Sequence, residues 1–553
     1  MIYSKSIRRL AKEAARARLS QVPGSAFAGL GLDRARLASL MDGFKGQMVF
    51  PGQPGYHQDR QESNPAFQAY PLLIAYCEAF SDVQQILALA TDFGLKVACR
   101  SGGHSTAGYS VNDGIVLDTS RLSDVSVDAA ANTASVGPGA TFEKLNATLD
   151  SYHLHVPGGG CPDVCVGGYM QGGGYGFTSR EFGMHCDNVQ SVLVMLVDGS
   201  IVKADAGNHA DLFWGIRGGT GNNFGVLLQT TYRLQALWQI WGFGLRWSLA
   251  NAPAALVAMQ QGYMRTGASA RLGYMTVITL QADGQHWLLM RGVYDGTQAQ
   301  ALQELAPLLA TPGVQFDIAL QRNSYYRINT LLLETPPWEI PYVPPQPPNT
   351  TVKEDKQAGY IAKPVPLAHW QKVVDYYRTA PAPFNTVVIE PYGGAINAHP
   401  VYGNAFVHRN VDMDFFVDTF WVNDADQAAA VAWLDGFMNL MAPYFNGEVY
   451  QNYPRRNTPD YRQAYWGDAF SALLACKLRY NNGTLLDFEQ SISAGPAPSA
   501  GTAAVPIPPA CALSPEPYSM PTSALQPALQ PALQPALQPA RQPALQPARQ
   551  PAP

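Results

Sequence analysis

Glycine is concentrated in five short clusters between Gly137 and Gly221, and this feature constrains the fold more than any other. The clusters read Gly-Pro-Gly, Gly-Gly-Gly, Gly-Gly, Gly-Gly-Gly-Tyr-Gly and Gly-Gly-Thr-Gly. Glycine tolerates positive φ and lets backbone N–H groups approach a ligand, and successive N–H groups in such turns form anion-binding nests. One cluster is typical of a tight turn, whereas five together indicate a large phosphate-bearing ligand. Neither a Rossmann Gly-x-Gly-x-x-Gly after a strand nor a P-loop occurs, so those two sites are not predicted.

Composition excludes several classes of protein. The 553 residues carry 37 Lys and Arg against 42 Asp and Glu, a formal charge of −5, which argues against a sequence-independent nucleic-acid binder. No apolar run reaches the roughly 18 residues that a membrane-spanning helix needs. The N-terminal segment, residues 1–44, begins with a basic stretch that lacks the apolar core of a secretory signal. We therefore expect a basic surface helix there and a cytoplasmic location.

Local patterns predict alternating helices and strands. A helical period over Asp82–Asp92 ends at Gly94, a typical C-cap. A buried strand follows over Lys96–Arg100, and Val189–Val202 reads as a hairpin with Asp198-Gly199 as its turn. The fold class is therefore α+β.

The chain ends in repeats of Ala-Leu/Arg-Gln-Pro. Proline at every fourth position removes a backbone donor and fixes φ, so neither a helix nor a sheet can propagate. We expect residues 493–553 to be a disordered tail, and the Pro-rich stretch Pro336–Pro348 to be a surface insertion.

Two nucleophilic side chains lie beside the glycine clusters. His104 closes Arg-Ser-Gly-Gly-His, and Cys161 follows Gly-Gly-Gly. An imidazole nitrogen and a thiolate are side chains able to attack an electron-poor flavin ring, although a lone His or Cys is usually structural. The seven cysteines, an odd number, indicate no disulfide framework. Cys161 and Cys165 are four apart with no second pair at ligand spacing, so no metal site is predicted.

Eight motifs along the chain resemble those of a known family. The motifs are Arg-Ser-Gly-Gly-His (100–104), Gly-Gly-Cys-Pro-Asp-Val-x-Val-Gly-Gly (159–168), Gly-Gly-Gly-Tyr-Gly (172–176), Asp-Asn-Val (187–189), the run 211–226, Ala-Phe-Val-His-Arg (405–409), Tyr-Gln-Asn-Tyr-Pro (450–454) and Gln-Ser-Ile (490–492). Together they are similar to the berberine-bridge-enzyme-like FAD-linked oxidases of the vanillyl-alcohol-oxidase, or PCMH-type, superfamily. The resemblance covers about residues 50–492.

The resemblance implies a two-lobed PCMH-type FAD-binding domain plus a substrate domain with an antiparallel sheet backed by helices. The implied boundaries are 45–236 for the FAD domain, 237–445 for the substrate domain and 446–492 for a return segment that completes the FAD domain and active site.

The resemblance also implies roles for individual residues. His104 would carry FAD covalently and Cys161 would form a second bond to it. Tyr453 would be the catalytic base, and Glu390 a second base or substrate ligand. Val164 stands at the family's oxygen gate, where valine favours an oxidase. The remaining cofactor contacts are expected at Arg100, Ser101, Gly102, Gly103, Ser105, Gly167, Gly168, Tyr169, Gly172, Val226 and Asn452.

Some positions depart from the family pattern. Tyr169 stands where many members have a histidine that hydrogen-bonds the flavin, and Thr106 stands where several have an aromatic residue. A phenol needs a nearby positive or hydrogen-bonding group to act as a base at neutral pH, and the sequence does not show which group that is. These departures leave the substrate class open.

The resemblance implies an enzyme that transfers hydride from an alcohol or hemiacetal to flavin N5, with O2 as acceptor and H2O2 as product. The substrate is expected to be a small molecule, either a carbohydrate or a secondary-metabolite alcohol, with no nucleic-acid partner. Three alternatives stay open: a flavin dehydrogenase with another acceptor, an oxidative cyclase, and a flavin-binding protein without turnover.

Overall fold

The described part of the chain forms four sheets and their connecting helices. A computed structural model describes residues 22, 24, 30–265, 267–334, 352–481 and 483–494. The predicted basic N-terminal helix, the Pro336–Pro348 insertion and the predicted tail beyond residue 494 lie outside these described residues.

The strands are named in chain order. They are β1 (Gln47–Val49), β2 (Leu73–Tyr76), β3 (Val97–Arg100), β4 (Ile115–Asp118), β5 (Val125–Asp128), β6 (Thr133–Val136), β7 (Leu154–His155), β8 (Val189–Met195), β9 (Ile201–Asp205), β10 (Val226–Arg233), β11 (Gln235–Ala236), β12 (Ile240–Ser248), β13 (Leu272–Leu280), β14 (His286–Tyr294), β15 (Gln315–Asn323), β16 (Lys353–Ile361), β17 (Thr386–Pro391) and β18 (Met413–Trp421).

The helices are also named in chain order. They are α1 (Arg34–Gly43), α2 (Tyr56–Asp59), α3 (Phe80–Phe93), α4 (Phe142–Asp150), α5 (Val166–Gln171), α6 (Ser179–Phe182), α7 (Ala210–Gly215), α8 (Ala252–Tyr263), α9 (Gln298–Leu309), α10 (Tyr325–Glu334), α11 (Leu367–Tyr377), α12 (Ala395–Ala398), α13 (Gln427–Met441), α14 (Tyr461–Trp466) and α15 (Phe470–Tyr480). Short 3-10 turns lie at His185–Asn188, Asp424–Asp426 and Gly467–Ala469.

The sheets differ in strand direction. The first has the order β1-β2-β4-β3, in which β2 and β3 run parallel to β4. The second, β5-β6-β10-β8-β9, is antiparallel, and β11 pairs with β7. The largest has seven strands in the order β15-β12-β14-β13-β17-β18-β16 and is antiparallel throughout. This mixture confirms the α+β class.

Helix α3 shows how closely the local sequence determines this architecture. Its apolar face is buried against the first sheet, and it ends at Gly94, whose φ of +63° closes the helix in the left-handed conformation. Its first turn is held by the buried Asp82 carboxylate, which accepts from the backbone N–H groups of Lys45, Gly46 and Glu78 at 2.9–3.0 Å. The predicted helix and its stop signal are confirmed.

The predicted hairpin is confirmed as β8 and β9, joined through a turn in which Gly199 has a φ of +82°.

Separate apolar cores lie on the two sides of the functional region. One joins α4, the second sheet and the C-terminal helices, and the other lies between the seven-stranded sheet and helices α8, α9, α11 and α13. Helices α8, α9, α11 and α13 therefore cover one face of the large sheet, whereas its other face contacts α10 at one end and the glycine-rich segment elsewhere. The domain boundaries at 236/237 and 445/446 stay a prediction. Among the described residues, no helix is long and apolar enough to cross a membrane.

Candidate active site

A cavity of about 490 Å³ lies between this second face of the seven-stranded sheet and the glycine turns. Its size is typical of a small-molecule site. With one exception, the residues predicted from the sequence to bind cofactor or to act in catalysis line its wall. They are Arg100, Ser101, Gly102, Gly103, His104, Ser105, Cys161, Val164, Gly167, Gly168, Tyr169, Val226, Glu390, Asn452 and Tyr453.

Gly172 is the exception, because it is not part of the cavity wall. A Cβ at this position would lie 1.9 Å from Asn452 Oδ1. Its missing side chain therefore makes room for Asn452, which does line the cavity. The contact of Gly172 with the cofactor, which the resemblance implies, stays a prediction.

Arg100 precedes the turn that carries His104 and is itself fixed by hydrogen bonds. The buried guanidinium donates from Nε to Asp118 Oδ2 at 2.6 Å and from Nη1 to the Asp59 carbonyl at 2.8 Å. Gly103 has a φ of +70°, and its carbonyl accepts from both the backbone N–H and the hydroxyl of Ser63. The side chain of Arg100 is thus engaged by protein groups.

His104 is held as a neutral imidazole. Burial lowers its pKa, and this outweighs the opposite effect of Asp163, whose Oδ1 lies 4.0 Å from His104 Nε2. A neutral imidazole has a nitrogen lone pair available, as a nucleophile requires. Ser105 fixes the next part of the turn, because its hydroxyl accepts from Tyr109 N at 3.0 Å.

The loop that carries Cys161 lies at the start of α5, and the thiol is exposed. Helix α10 supports this loop: Asn329 Nδ2 donates to the Gly160 carbonyl at 3.3 Å. The Val164 carbonyl accepts from Phe142 N at 3.0 Å, which fixes the half-buried Val164 on the cavity wall. The six cysteines within the described residues form no disulfide.

Gly168 is exposed on the cavity wall, and a Cβ there would meet no protein atom within 4 Å. Protein packing therefore does not require glycine at this position, unlike at Gly176, where a Cβ would lie 1.9 Å from the Gly158 carbonyl. A bound group can approach the backbone closely where a glycine borders open space.

Tyr453 and Glu390 form a hydrogen-bonded pair on the opposite wall. The Tyr453 hydroxyl donates to Glu390 Oε1 at 3.0 Å, and Glu390 Oε2 has no hydrogen-bond partner among the described residues. Burial raises the pKa of Glu390 to about 7, whereas burial and the charge of Glu390 raise the pKa of Tyr453 well above its ordinary value. Near neutral pH the carboxylate is therefore the proton acceptor of the pair, and the phenol is a donor.

A half-buried lysine that the sequence analysis did not identify lies next to this pair. Lys356 Nζ on β16 is 4.7 Å from the centre of the Tyr453 ring and 3.0 Å from Asp418 Oδ1. Although burial lowers the pKa of Lys356, Asp418 and Glu354 raise it above its ordinary value, so the lysine stays charged. All four side chains line the cavity.

The sequence signal that could have identified Lys356 is strand alternation in Lys353–Lys356, where every second side chain points to the same face of the sheet. A strand so rich in charge is usually assigned to an exposed edge.

Tyr169 and Asn452 are fixed by the protein itself. The Tyr169 hydroxyl donates to the Tyr175 carbonyl, and Asn452 Nδ2 donates to the Tyr169 carbonyl and to the Tyr450 hydroxyl, both at 2.9 Å. The phenol at position 169 is thus held by the chain.

His408, from the motif at residues 405–409, lies outside the cavity wall, and its Nδ1 is 2.7 Å from Glu448 Oε2. Within the described ranges, no group of three His, Cys, Asp or Glu side chains is placed to hold a metal ion.

Comparison with known proteins agrees with this geometry. Residues 71–205 match the FAD binding domain family. The chain is 27% identical to an uncharacterized FAD-linked oxidoreductase, YvdP, of Bacillus subtilis, over 81% of this chain and 98% of the relative. It is 26% identical to the carbohydrate oxidase of Microdochium nivale, over 80% of this chain and 92% of the relative.

A solved structure extends the agreement to the fold. The chain is similar to the BBE-like 1 protein of Physcomitrella patens, with a TM-score of 0.75 and 25% identity over 83% of this chain and 99% of that one. Similarity in sequence and in fold thus points to the same group of enzymes as the residues on the cavity wall. In sequence and in fold the chain is similar to the berberine-bridge-enzyme-like FAD-linked oxidoreductases of the PCMH-type superfamily.

Proposed function

We propose that this enzyme is an oxidase that removes a hydride and a proton from an alcohol or hemiacetal, with FAD attached through both His104 and Cys161. The observation that carries the proposal is the placement of four side chains around one cavity: His104 and Cys161 on one wall, Tyr453 and Glu390 on the other. Nucleophiles suited to a flavin ring thus face a proton acceptor across the space that a substrate would enter.

The residues present fit FAD on two counts. The turn around Gly103 lines the cavity, and Gly168 is exposed there with no protein atom within 4 Å of a Cβ, as close approach of a large group needs. His104 is neutral, as a nucleophilic imidazole must be, and Cys161 is exposed, so a flavin ring can reach its sulfur. When bound, FAD supplies the hydride acceptor, and oxygen then takes up two electrons and two protons to give hydrogen peroxide.

The protein groups handle the substrate proton. A substrate hydroxyl placed against Tyr453 donates its proton to the phenol oxygen as the Tyr453 proton passes to Glu390 Oε1, 3.0 Å away. Glu390 is the final acceptor because its pKa of about 7 suits neutral pH, whereas that of Tyr453 is too high. The sequence-based assignment of Tyr453 as the base is therefore refined to a relay that ends on Glu390.

Lys356 supports this transfer electrostatically. Its ammonium lies over the Tyr453 ring, where the π face attracts a cation. A cation near the ring also stabilises negative charge that develops on the phenol oxygen during the transfer. This is the positive group that the sequence left unidentified.

The cavity favours a neutral, hydroxyl-rich substrate. Glu354, Lys356, Thr386 and Asp418 offer hydrogen-bond donors and acceptors on the sheet side of the wall. The similarity to a carbohydrate oxidase agrees with a sugar hemiacetal, which would be oxidised to a lactone. Val164 on the wall agrees with oxygen as the acceptor.

The test is an anaerobic screen of the holoenzyme against mono- and oligosaccharides and aromatic alcohols, followed by admission of oxygen. The proposal predicts bleaching of the flavin absorbance by a sugar and one peroxide per substrate after oxygen enters. Bleaching that is reversed by dyes or quinones but not by oxygen would select a dehydrogenase. No bleaching by any hydroxyl compound would contradict the proposed reaction.

A further inference from the structure

Thr106 connects the two walls of the cavity. Its hydroxyl donates to the Pro454 carbonyl at 2.8 Å, and both residues line the cavity. Thr106 lies two residues after His104, and Pro454 directly follows Tyr453. One hydrogen bond therefore joins the turn that carries a proposed flavin attachment to the segment that carries the proposed proton relay.

A second contact of the same kind reinforces this connection. Arg456 Nε donates to the Ala107 carbonyl at 2.8 Å, and its guanidinium lies 4.9 Å from the centre of the Phe67 ring. Arg456 is exposed, whereas Thr106 faces the cavity. The two bonds run between the same pair of segments, and that of Thr106 is the one next to the reacting groups.

We propose that Thr106 is a positioning residue that fixes Tyr453 relative to the His104 turn. The inference rests on the proposed function, because it assigns Thr106 no chemistry of its own. A relay residue must lie within hydrogen-bond distance of the substrate hydroxyl while the substrate C–H faces the cofactor. Small displacements from this arrangement strongly lower the reaction rate. Through its bond to the Pro454 carbonyl, Thr106 restrains the backbone next to Tyr453.

The test uses the Thr106→Val variant of the flavin-loaded enzyme, in which the side chain keeps its shape and loses its hydroxyl. Flavin reduction is followed anaerobically in single turnover, because that measurement remains quantitative for slow variants. We expect the rate of reduction to fall about fivefold, the size expected from the loss of one hydrogen bond. Substrate affinity and acid-stable flavin content should be unchanged.

Three further variants serve as controls. Thr106→Ser keeps the hydroxyl, so its rate of flavin reduction should stay within about twofold of the wild-type rate. This is a smaller change than the loss of one hydrogen bond produces. Thr106→Ala should reproduce the loss seen with valine, which guards against a folding defect peculiar to valine. Thr148→Val removes a comparable hydroxyl-to-carbonyl bond of 2.7 Å on α4, away from the cavity, and should behave like the wild type.

A double-mutant cycle separates positioning from general structure. If Thr106 acts through Tyr453, adding Thr106→Val to Tyr453→Phe should slow reduction no further. An equal loss in both backgrounds, a wild-type rate in Thr106→Val, or a loss of attached flavin that accounts for the whole effect would overturn the inference. Tyr453→Phe with an unchanged rate would instead refute the proposed relay itself, so the two failures are distinguishable.

Discussion

Replacing Glu390 with glutamine should make the enzyme slower and more stable at the same time. The amide oxygen can still accept the Tyr453 hydrogen bond, now 3.0 Å long, but it cannot take a proton. A general base contributes about 10²- to 10⁴-fold to a rate, so the rate of flavin reduction should fall by that factor. Substrate affinity should change much less.

The stability gain follows from the burial of the carboxyl group. Its pKa is raised from 4.5 to about 7, so ionisation of Glu390 opposes folding. The sign is set by linkage: an acid with a raised pKa costs no stability below about pH 4.5, and the cost grows up to about pH 7 and stays constant above it. The full cost is about 3 kcal/mol, which glutamine removes.

Two assays check this prediction. Denaturant unfolding at pH 5 and at pH 8 should show Glu390→Gln gaining stability over the wild type mainly at pH 8. The rate of reduction should rise with pH in the wild type, with a midpoint near pH 7, and should be flat over this range in the variant. A variant that keeps the wild-type rate, or one that is less stable than the wild type at pH 8, would refute the reasoning.

Three further changes test other parts of the cavity. Lys356→Met should destabilise the protein by about 3–5 kcal/mol in denaturant unfolding, because it leaves the buried Asp418 carboxylate without its cation; unchanged stability would show that the pair is not needed. Gly168→Ala should fold normally but contain less flavin, because its Cβ meets only the open cavity wall; full flavin content would contradict that placement. Gly176→Ala, the matched control, should give little folded protein by circular dichroism, since its Cβ would lie 1.9 Å from the Gly158 carbonyl.

Much of the fold and of the cavity wall was predictable from local patterns and motifs. Helix α3 and its stop at Gly94 follow from periodicity and capping, which depend on neighbouring residues only. His104, Cys161 and Tyr453 lie far apart in the sequence, and it was the family motifs, not spacing, that placed them at one cavity.

What the sequence could not show depends on contacts between distant strands. Lys356 and Asp418 face each other only because β16 pairs with β18, a register that no local pattern specifies. The pKa of Glu390 depends on the same tertiary burial, so the proton relay could be assigned only from the structure. The close approach of Gly172 to Asn452 is likewise a tertiary contact that the motif did not show, and its predicted contact with the cofactor stays a prediction.

The most direct measurement is to precipitate the enzyme with acid and to determine how much flavin stays with the protein. His104→Ala, Cys161→Ala and the double variant are measured alongside the wild type. The account predicts that flavin stays in the pellet for the wild type and for both single variants, with an altered absorbance spectrum in Cys161→Ala, and is released only from the double variant. Release of the flavin from the wild-type enzyme would contradict the account.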